Sequence, residues 1–353
     1  MRLGACLSFT AALIVPVVAA AAFAQESVEA TLAKLNALPA AERQASLMKG
    51  AQSEKIVEWY ATLPVELSAQ LMTAFRKRYP FLDVKYTRGG GGRMVNRVIT
   101  EHRAGSNKFD VLGGTSTSHE VLMKAGLIAR NITPLRKELR DGFIDADGYR
   151  VMPFTYAFVI GYNTRTVPKD QRPQSYEDLL QPKWKGEIAL EAAAYEWLAG
   201  LIDTMGEDKA LAFARKLAGQ NLRVQQGSTL LVQQMSAGEF KILIDALHYQ
   251  IENFKLQGAP VDYVVTDPLL IKDPSGLWLA KHAPHPHAAA LFIDFLLSRE
   301  GQQHFVQSHR LVARKDVEWR SLGKLPERTH VLSVEKWAPR NKELIGQFDK
   351  IFR

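Results

Sequence analysis

The 353-residue chain has a single cysteine, Cys6. It falls in an N-terminal segment expected to be removed, so the mature chain would carry none. Disulfides, thiolate metal sites and cysteine nucleophiles are thereby excluded, and an oxidising compartment poses no pairing problem. Catalytic signatures are missing as well: no Gly-x-Ser-x-Gly elbow and no His-Glu-x-x-His helix occurs. The run Gly89 to Gly92 lacks the lysine and hydroxyl of a phosphate-binding loop, and no glycine-x-glycine spacing opens a helix in dinucleotide fashion. Neither a nucleotide site nor any cofactor is expected. The net charge is +8, but the basic residues are scattered and form no nucleic-acid motif. DNA and RNA are not expected partners. The excess suits an anionic solute or an acidic docking surface, and equally a plain solvated surface.

The N-terminus sets the expected compartment. Arg2 gives a short positive start, residues 5–22 are apolar, and Ala22-Phe23-Ala24 supplies a signal-peptidase pattern. Residues 1–24 are therefore read as a cleaved signal peptide and the mature protein as periplasmic. A membrane anchor fits less well, because the run is short and no charged stop-transfer flank follows it. Cys6 stands at the start of the apolar run rather than after it, so a lipid anchor there is not expected.

Strand and helix patterns alternate beyond that point. Residues 27–50 read as a helical extension, with Leu32, Leu35 and Leu38 on one face and Pro39 interrupting. Strands at 56–60, 82–86 and 109–112 are each followed by a helix, which implies a parallel sheet with right-handed crossovers. Residues 152–162 form a longer β-prone run suited to crossing between lobes. A second strand–helix unit occupies 187–265. Residues 277–279 read as a return strand and 288–297 as an amphipathic helix, and the C-terminal part is expected to pack on the first lobe. The expected fold is α/β with two lobes, lobe 1 from 25–155 and 268–353 and lobe 2 from 156–267.

Several stretches carry a resemblance. Ser175-Tyr176-Glu177-Asp178-Leu179-Leu180-Gln181-Pro182-Lys183-Trp184-Lys185-Gly186 precedes the first strand of the second lobe. Ser236-Ala237-Gly238-Glu239-Phe240 precedes a buried strand. Pro286-His287-Ala288-Ala289-Ala290-Leu291-Phe292-Ile293-Asp294-Phe295-Leu296-Leu297-Ser298 is followed by Gly301-Gln302. With 86–105 and Phe109-Asp110-Val111, this ordered set resembles the type II periplasmic solute-binding proteins of ABC importers, in the branch similar to ferric-iron-binding proteins. The resemblance implies a two-lobed periplasmic-binding-protein-like fold, each lobe a mixed sheet flanked by helices, joined by two crossing segments. It implies hinge closure on a small-molecule ligand and delivery to an ABC permease in the inner membrane. A monomer is expected.

In open α/β sheets ligands bind beyond the carboxyl ends of strands. The candidate contacts are Tyr60, Thr62, Arg88, Gly89, Gly90, Thr115, Ser116, Tyr156, Glu191, Tyr195, Gln226, Gly227, Ser228, Asp245, His248 and Tyr249. Some of these ends open onto predicted helix N-termini, which favour anions. Arg88 offers a bidentate fork, and Thr115, Ser116 and Ser228 offer hydroxyls. Equally, the hydroxyls serve as helix caps and the glycines as a turn.

The chain is read as a binding protein, not an enzyme. An enzyme would need Asp245 and His248 as an acid–base pair, a spacing that suits structural hydrogen bonding equally well. A receptor lobe feeding a sensor differs only in its partner. The ligand is expected to be a small organic or phosphorus-bearing anion, although Asp245 and Glu191 equally suit a cation. The resemblance raises ferric iron, held in that branch by adjacent tyrosines with a histidine and a carboxylate. Here the matching segment, Asp245-Ala246-Leu247-His248-Tyr249, has one tyrosine, and 60–64 has no histidine. Tyr195 and Tyr249, with Glu196, could still form an unorthodox site or contact a ferric chelate. His282, His285 and His287 read as a solvated surface loop.

Overall fold

The computed structural model describes residues 26–115, 118–323 and 325–353. The expected signal segment, with Cys6, and Ser116 lie outside them. Two sheets organise the rest, and the α/β expectation holds. The first runs Leu311–Val312, Val151–Thr155, Ser275–Ala280, Val111–Gly114, Ile56–Ala61, Asp83–Arg88, with Ile128–Ala129 also on Ser275–Ala280. Ile56–Ala61 is parallel to both Asp83–Arg88 and Val111–Gly114, and Ser275–Ala280 enters antiparallel. The second runs Val261–Val264, Phe158–Asn163, Ile242–Leu247, Ile188–Glu191, Arg223–Gln225.

Alternating residues of the second sheet divide onto two cores. Phe158, Ile160 and Tyr162 join Trp197 and Phe213. Val159, Ala189 and Leu243 meet Leu231, Met235 and Ile251 on the other face. Burial on both faces explains why the central strands read as largely apolar runs. The lobes meet at two adjacent crossings, where the Lys272 N–H donates to the Tyr156 carbonyl at 2.8 Å.

The N-terminal helices Val28–Asn36 and Ala40–Glu54 lie against helix Pro286–Leu297, which is buried from Ala288 to Leu297. Arg43 meets Asp294 at 2.5 Å, both side chains buried, and Thr133 Oγ1 donates to the other carboxylate oxygen at 2.9 Å. The three histidines at the start of that helix lie in a partly exposed loop, and two of them have carboxylate partners. Glu54 accepts from the N–H of Ala288 at 2.7 Å and pairs with His287 Nδ1 at 2.7 Å. Asp110 accepts from the N–H of His285 and meets its Nδ1 at 2.9 Å. His282 stacks on His102 at 5.6 Å. Buried and half-buried carboxylates thus tie this loop down, His287's at the helix start where the free amides favour an anion.

The C-terminal part corrects the expected division of lobes. Thr329–Val331 pairs parallel with Leu269–Ile271. Helix Asn341–Phe352 packs on helices Tyr195–Met205 and Glu207–Ala218, so Leu344 and Phe348 enter the core of the second lobe rather than the first. Polar anchors explain the docking. Asp203, with its side chain buried, accepts from Lys336 Nζ at 2.6 Å, His330 Nε2 at 2.9 Å and Trp337 Nε1 at 3.1 Å. Glu207 takes Arg340 at 2.9 Å and Gln347 at 3.0 Å. Replacing Asp203 with alanine should cost about 2 kcal/mol, because it strands three donors. Amide exchange in Asn341–Phe352 should accelerate more than in Ile56–Ala61. Equal acceleration in both would mean that the polar anchor does not hold this helix separately.

Candidate functional site

Strands Ile56–Ala61, Asp83–Arg88 and Val111–Gly114 all end on the side facing the second lobe, as does Ile242–Leu247 across the gap. Between them lies a cavity of about 420 Å³. Its first-lobe wall is Thr62, Leu63, Pro64, Arg88, Gly113 and Thr115, and Thr229 and Tyr249 form the second-lobe wall. The hinge supplies Phe154, Tyr156, Lys272 and Asp273, and Arg310 closes the floor. Gly113 is required by close approach, since a Cβ there would sit 3.0 Å from the Ala61 Cβ and 3.1 Å from Leu277 Cδ2. Arg88 is aimed by its Nε donating to the Leu63 carbonyl at 3.0 Å, which leaves the end of its fork toward the cavity.

The floor is aromatic and cationic. Tyr156 and Tyr249 rings lie 4.5 Å apart. The Arg310 guanidinium sits 5.3 Å from the Phe154 ring, 5.7 Å from Tyr156 and 5.3 Å from Tyr249. Arg310 is only 4% exposed. Its Nη1 donates to the Ser308 carbonyl and hydroxyl at 3.1 and 2.7 Å, whereas Nε has no partner. Burial pushes the Tyr249 hydroxyl up to about 12, with Tyr156 reinforcing and Arg310 opposing the shift.

A second cavity of about 330 Å³ adjoins the first, with Lys272 in the walls of both. Glu191, Gln226, Gly227, Ser228 and Asp245 line it. Glu191 is occupied in holding loops, since its two oxygens accept from Gly227 N–H at 3.0 Å and Ala193 N–H at 2.7 Å. Asp245 accepts from the Glu191 N–H at 3.2 Å. Burial, with the charge of Glu191 adding to it, raises the Asp245 carboxyl to about 7 against the pull of that N–H and of Lys272. Lys272 Nζ pairs with Glu196 at 2.5 Å.

His248 has a different role from the one its position in sequence suggests. Its Nδ1 accepts from the Ala157 N–H at 3.0 Å, so the proton sits on Nε2, which donates to the His309 carbonyl at 2.7 Å. Burial lowers its pKa to about 4. With both nitrogens held by backbone, it does not pair with Asp245 to move a proton.

The structure gathers Thr62, Arg88, Thr115, Tyr156 and Tyr249 around the first cavity and Glu191, Gln226, Gly227, Ser228 and Asp245 around the second. Tyr60 is turned away. Its ring lies under Arg97 at 4.6 Å, and its hydroxyl accepts from Arg97 Nη2 at 3.2 Å. Gly89 and Gly90 wall neither cavity; Gly90 caps helix Gly91–Arg103. Tyr195 packs on Phe348 at 5.1 Å and lines a separate cavity, so it does not join Tyr249. Among the described residues no group of three or more His, Cys, Asp or Glu side chains gathers as a metal site would require. Arg310, Lys272 and Phe154 were not among the expected contacts: Arg310 and Lys272 lie in irregular segments between elements, and Phe154 lies within the crossing run rather than beyond a strand end.

The comparisons agree with this architecture. Residues 106–322 match the family described as bacterial extracellular solute-binding protein. That is more than half of the chain, and the chain belongs to this family. An uncharacterized protein of Haemophilus influenzae is 27% identical over 246 residues, 65% of this chain and 69% of that one. A Trichodesmium protein (IdiA, FutA) solved with iron and citrate superposes with a TM-score of 0.71 at 22% identity, over 84% of this chain and 99% of that one. The periplasmic binding protein AfuA from Actinobacillus pleuropneumoniae, solved with fructose-6-phosphate, gives 0.64 at 21% identity, over 84% and 98%. The fold is thus that of a type II periplasmic binding protein, and the protein binds a small solute.

Asp245 and His248 act in opposite directions over one pH window. A raised carboxyl makes the folded state lose stability as pH rises from about 4 to about 7, whereas a lowered imidazole makes it gain. Each is therefore read from a variant. Asp245→Asn should become progressively more stable relative to the native chain across that window, measured by urea unfolding. A pH-independent difference would mean that Asp245 titrates as an ordinary carboxylate.

Proposed function

We propose that this chain captures a small organic or phosphorus-bearing anion between its lobes in the periplasm and passes it, as a monomer, to an ABC permease. It performs no catalysis. The observation that carries the reading is Arg310. A guanidinium removed from water is costly unless an anion meets it, yet no carboxylate among the described residues pairs with Arg310. Asp273, the acid in the same cavity, is taken by Arg150 at 2.8 Å. Arg88 and Lys272 add positive charge around the same space. The fructose-6-phosphate of AfuA shows that a related fold accommodates a phosphorylated solute.

A ferric chelate is the second reading, favoured by the Tyr156–Tyr249 pair in the cleft. It is weakened by the upward shift of Tyr249, which opposes a tyrosinate, and by the adjacent Arg310 charge.

Calorimetry with inorganic phosphate, fructose 6-phosphate and citrate tests the first reading. At least one should bind, and Arg310→Gln should weaken it about 10- to 100-fold, the worth of a charged hydrogen bond. Circular dichroism checks that the variant folds. Ferric citrate is titrated in parallel with visible absorption. A charge-transfer band lost in Tyr249→Phe, with no binding of the iron-free anions, would replace the anion reading with the iron one.

A further inference from the structure

Beyond the two cleft cavities lies a third, of about 260 Å³. It shares Ala193 and Glu196 with the second cavity, as the second shares Lys272 with the first. The shared residues Lys272 and Glu196 are themselves an ion pair. The three cavities differ in character. The first chamber is cationic and the second hydrogen-bonding, whereas the third is walled largely by Tyr195, Ala199, Leu332, Trp337, Ala338 and Leu344.

Half of that wall belongs to the C-terminal segment, which lies beyond residue 322, where the family match ends. The wall is built rather than loosely apposed. Asp203 fixes the Trp337 indole and Lys336, Glu207 holds Arg340 and Gln347, and Arg150 reaches Glu335 at 2.7 Å. At the threshold, Glu196 Oε2 has no hydrogen-bond partner and is out of contact with water. An apolar chamber of this size holds roughly eight atoms at about 30 Å³ each.

We propose that this third chamber takes an apolar tail of the solute, so that the ligand is an amphiphilic anion with its charged head at Arg310. The head placement rests on the anion reading above; the chamber itself does not.

Monoalkyl phosphates with ethyl, butyl, hexyl and octyl tails test the proposal by calorimetry on the whole chain. Affinity should rise about fourfold for each methylene entering the chamber. Ala199→Phe, which fills the chamber, should abolish the rise and leave ethyl phosphate unaffected. Asn341→Trp, placed at the exposed edge of the same chamber, serves if Ala199→Phe does not fold. Equal affinities across the series in the native chain would overturn the proposal. A separate arm uses 1-hexanol, which has no charged head. It should raise the Tm of the native chain and not of either variant. If hexanol acts in this way while no alkyl phosphate binds, the chamber stands and the anion head is wrong. If hexanol leaves the native Tm unchanged, the chamber is wrong whatever the phosphates do.

Discussion

The position of the cleft floor depends on one neutral imidazole. His248 opens the helix after strand Ile242–Leu247 and holds two backbone groups from other parts of the chain, the Ala157 N–H and the His309 carbonyl. Ala157 lies just past the first crossing. His309 sits at a φ of 60°, a conformation that non-glycine residues seldom adopt. The bond to its carbonyl secures that turn, and the turn sets Arg310 beneath Tyr156 and Tyr249. A protonated ring would lose the bond from Ala157, because Nδ1 could no longer accept. Burial prevents this by lowering the pKa to about 4. One desolvated side chain therefore fixes a hinge crossing, a strained turn and the cation of the cleft.

Buried charge is used in two ways in this protein. Arg43–Asp294 and Arg150–Asp273 are closed pairs in which each side chain neutralises the other. They locate elements, and each guanidinium has a carboxylate partner. Arg310 is also buried, but it faces rings, which offer only a quadrupole, and a serine, which offers only dipoles. No carboxylate among the described residues compensates its charge. The contrast lies in the partner and not in exposure, since all three arginines are nearly inaccessible.

Much of the fold was legible because its strands are buried on both faces. Runs such as Phe158–Tyr162 and Ile242–Ile244 are apolar, and the residues after them fall at the cleft by topology. In the structure Thr62, Arg88 and Tyr249 line one cavity and Asp245 and Ser228 its neighbour. The strand-end rule failed where the side chain, not the backbone position, decides. Tyr60 ends a strand correctly, yet the period-two alternation sends its ring to the helix side, under Arg97. His248 occupies a strand end, yet its ring turns inward to backbone. The C-terminal helix was assigned to the wrong lobe because an amphipathic pattern states that a face is buried, not against what. The partners that settle it, Asp203 and Glu207, stand well over a hundred residues earlier in the chain.

Hinge closure in this fold constrains where each interaction can survive. Displacement in a rotation grows with distance from the axis, so bonds at the crossings persist while those far from them separate. The Lys272–Tyr156 backbone bond and the His248 contacts lie at the crossings and hold in either arrangement. Arg150 is the informative case. It bonds Asp273 at the hinge, and its other nitrogen reaches Glu335 on the segment docked to the second lobe. Its pair with Asp273 is fully buried and fixed, whereas Glu335 is half exposed and can exchange the guanidinium for water at little cost. The strong half of the contact therefore stays with the hinge and the weak half spans the lobes.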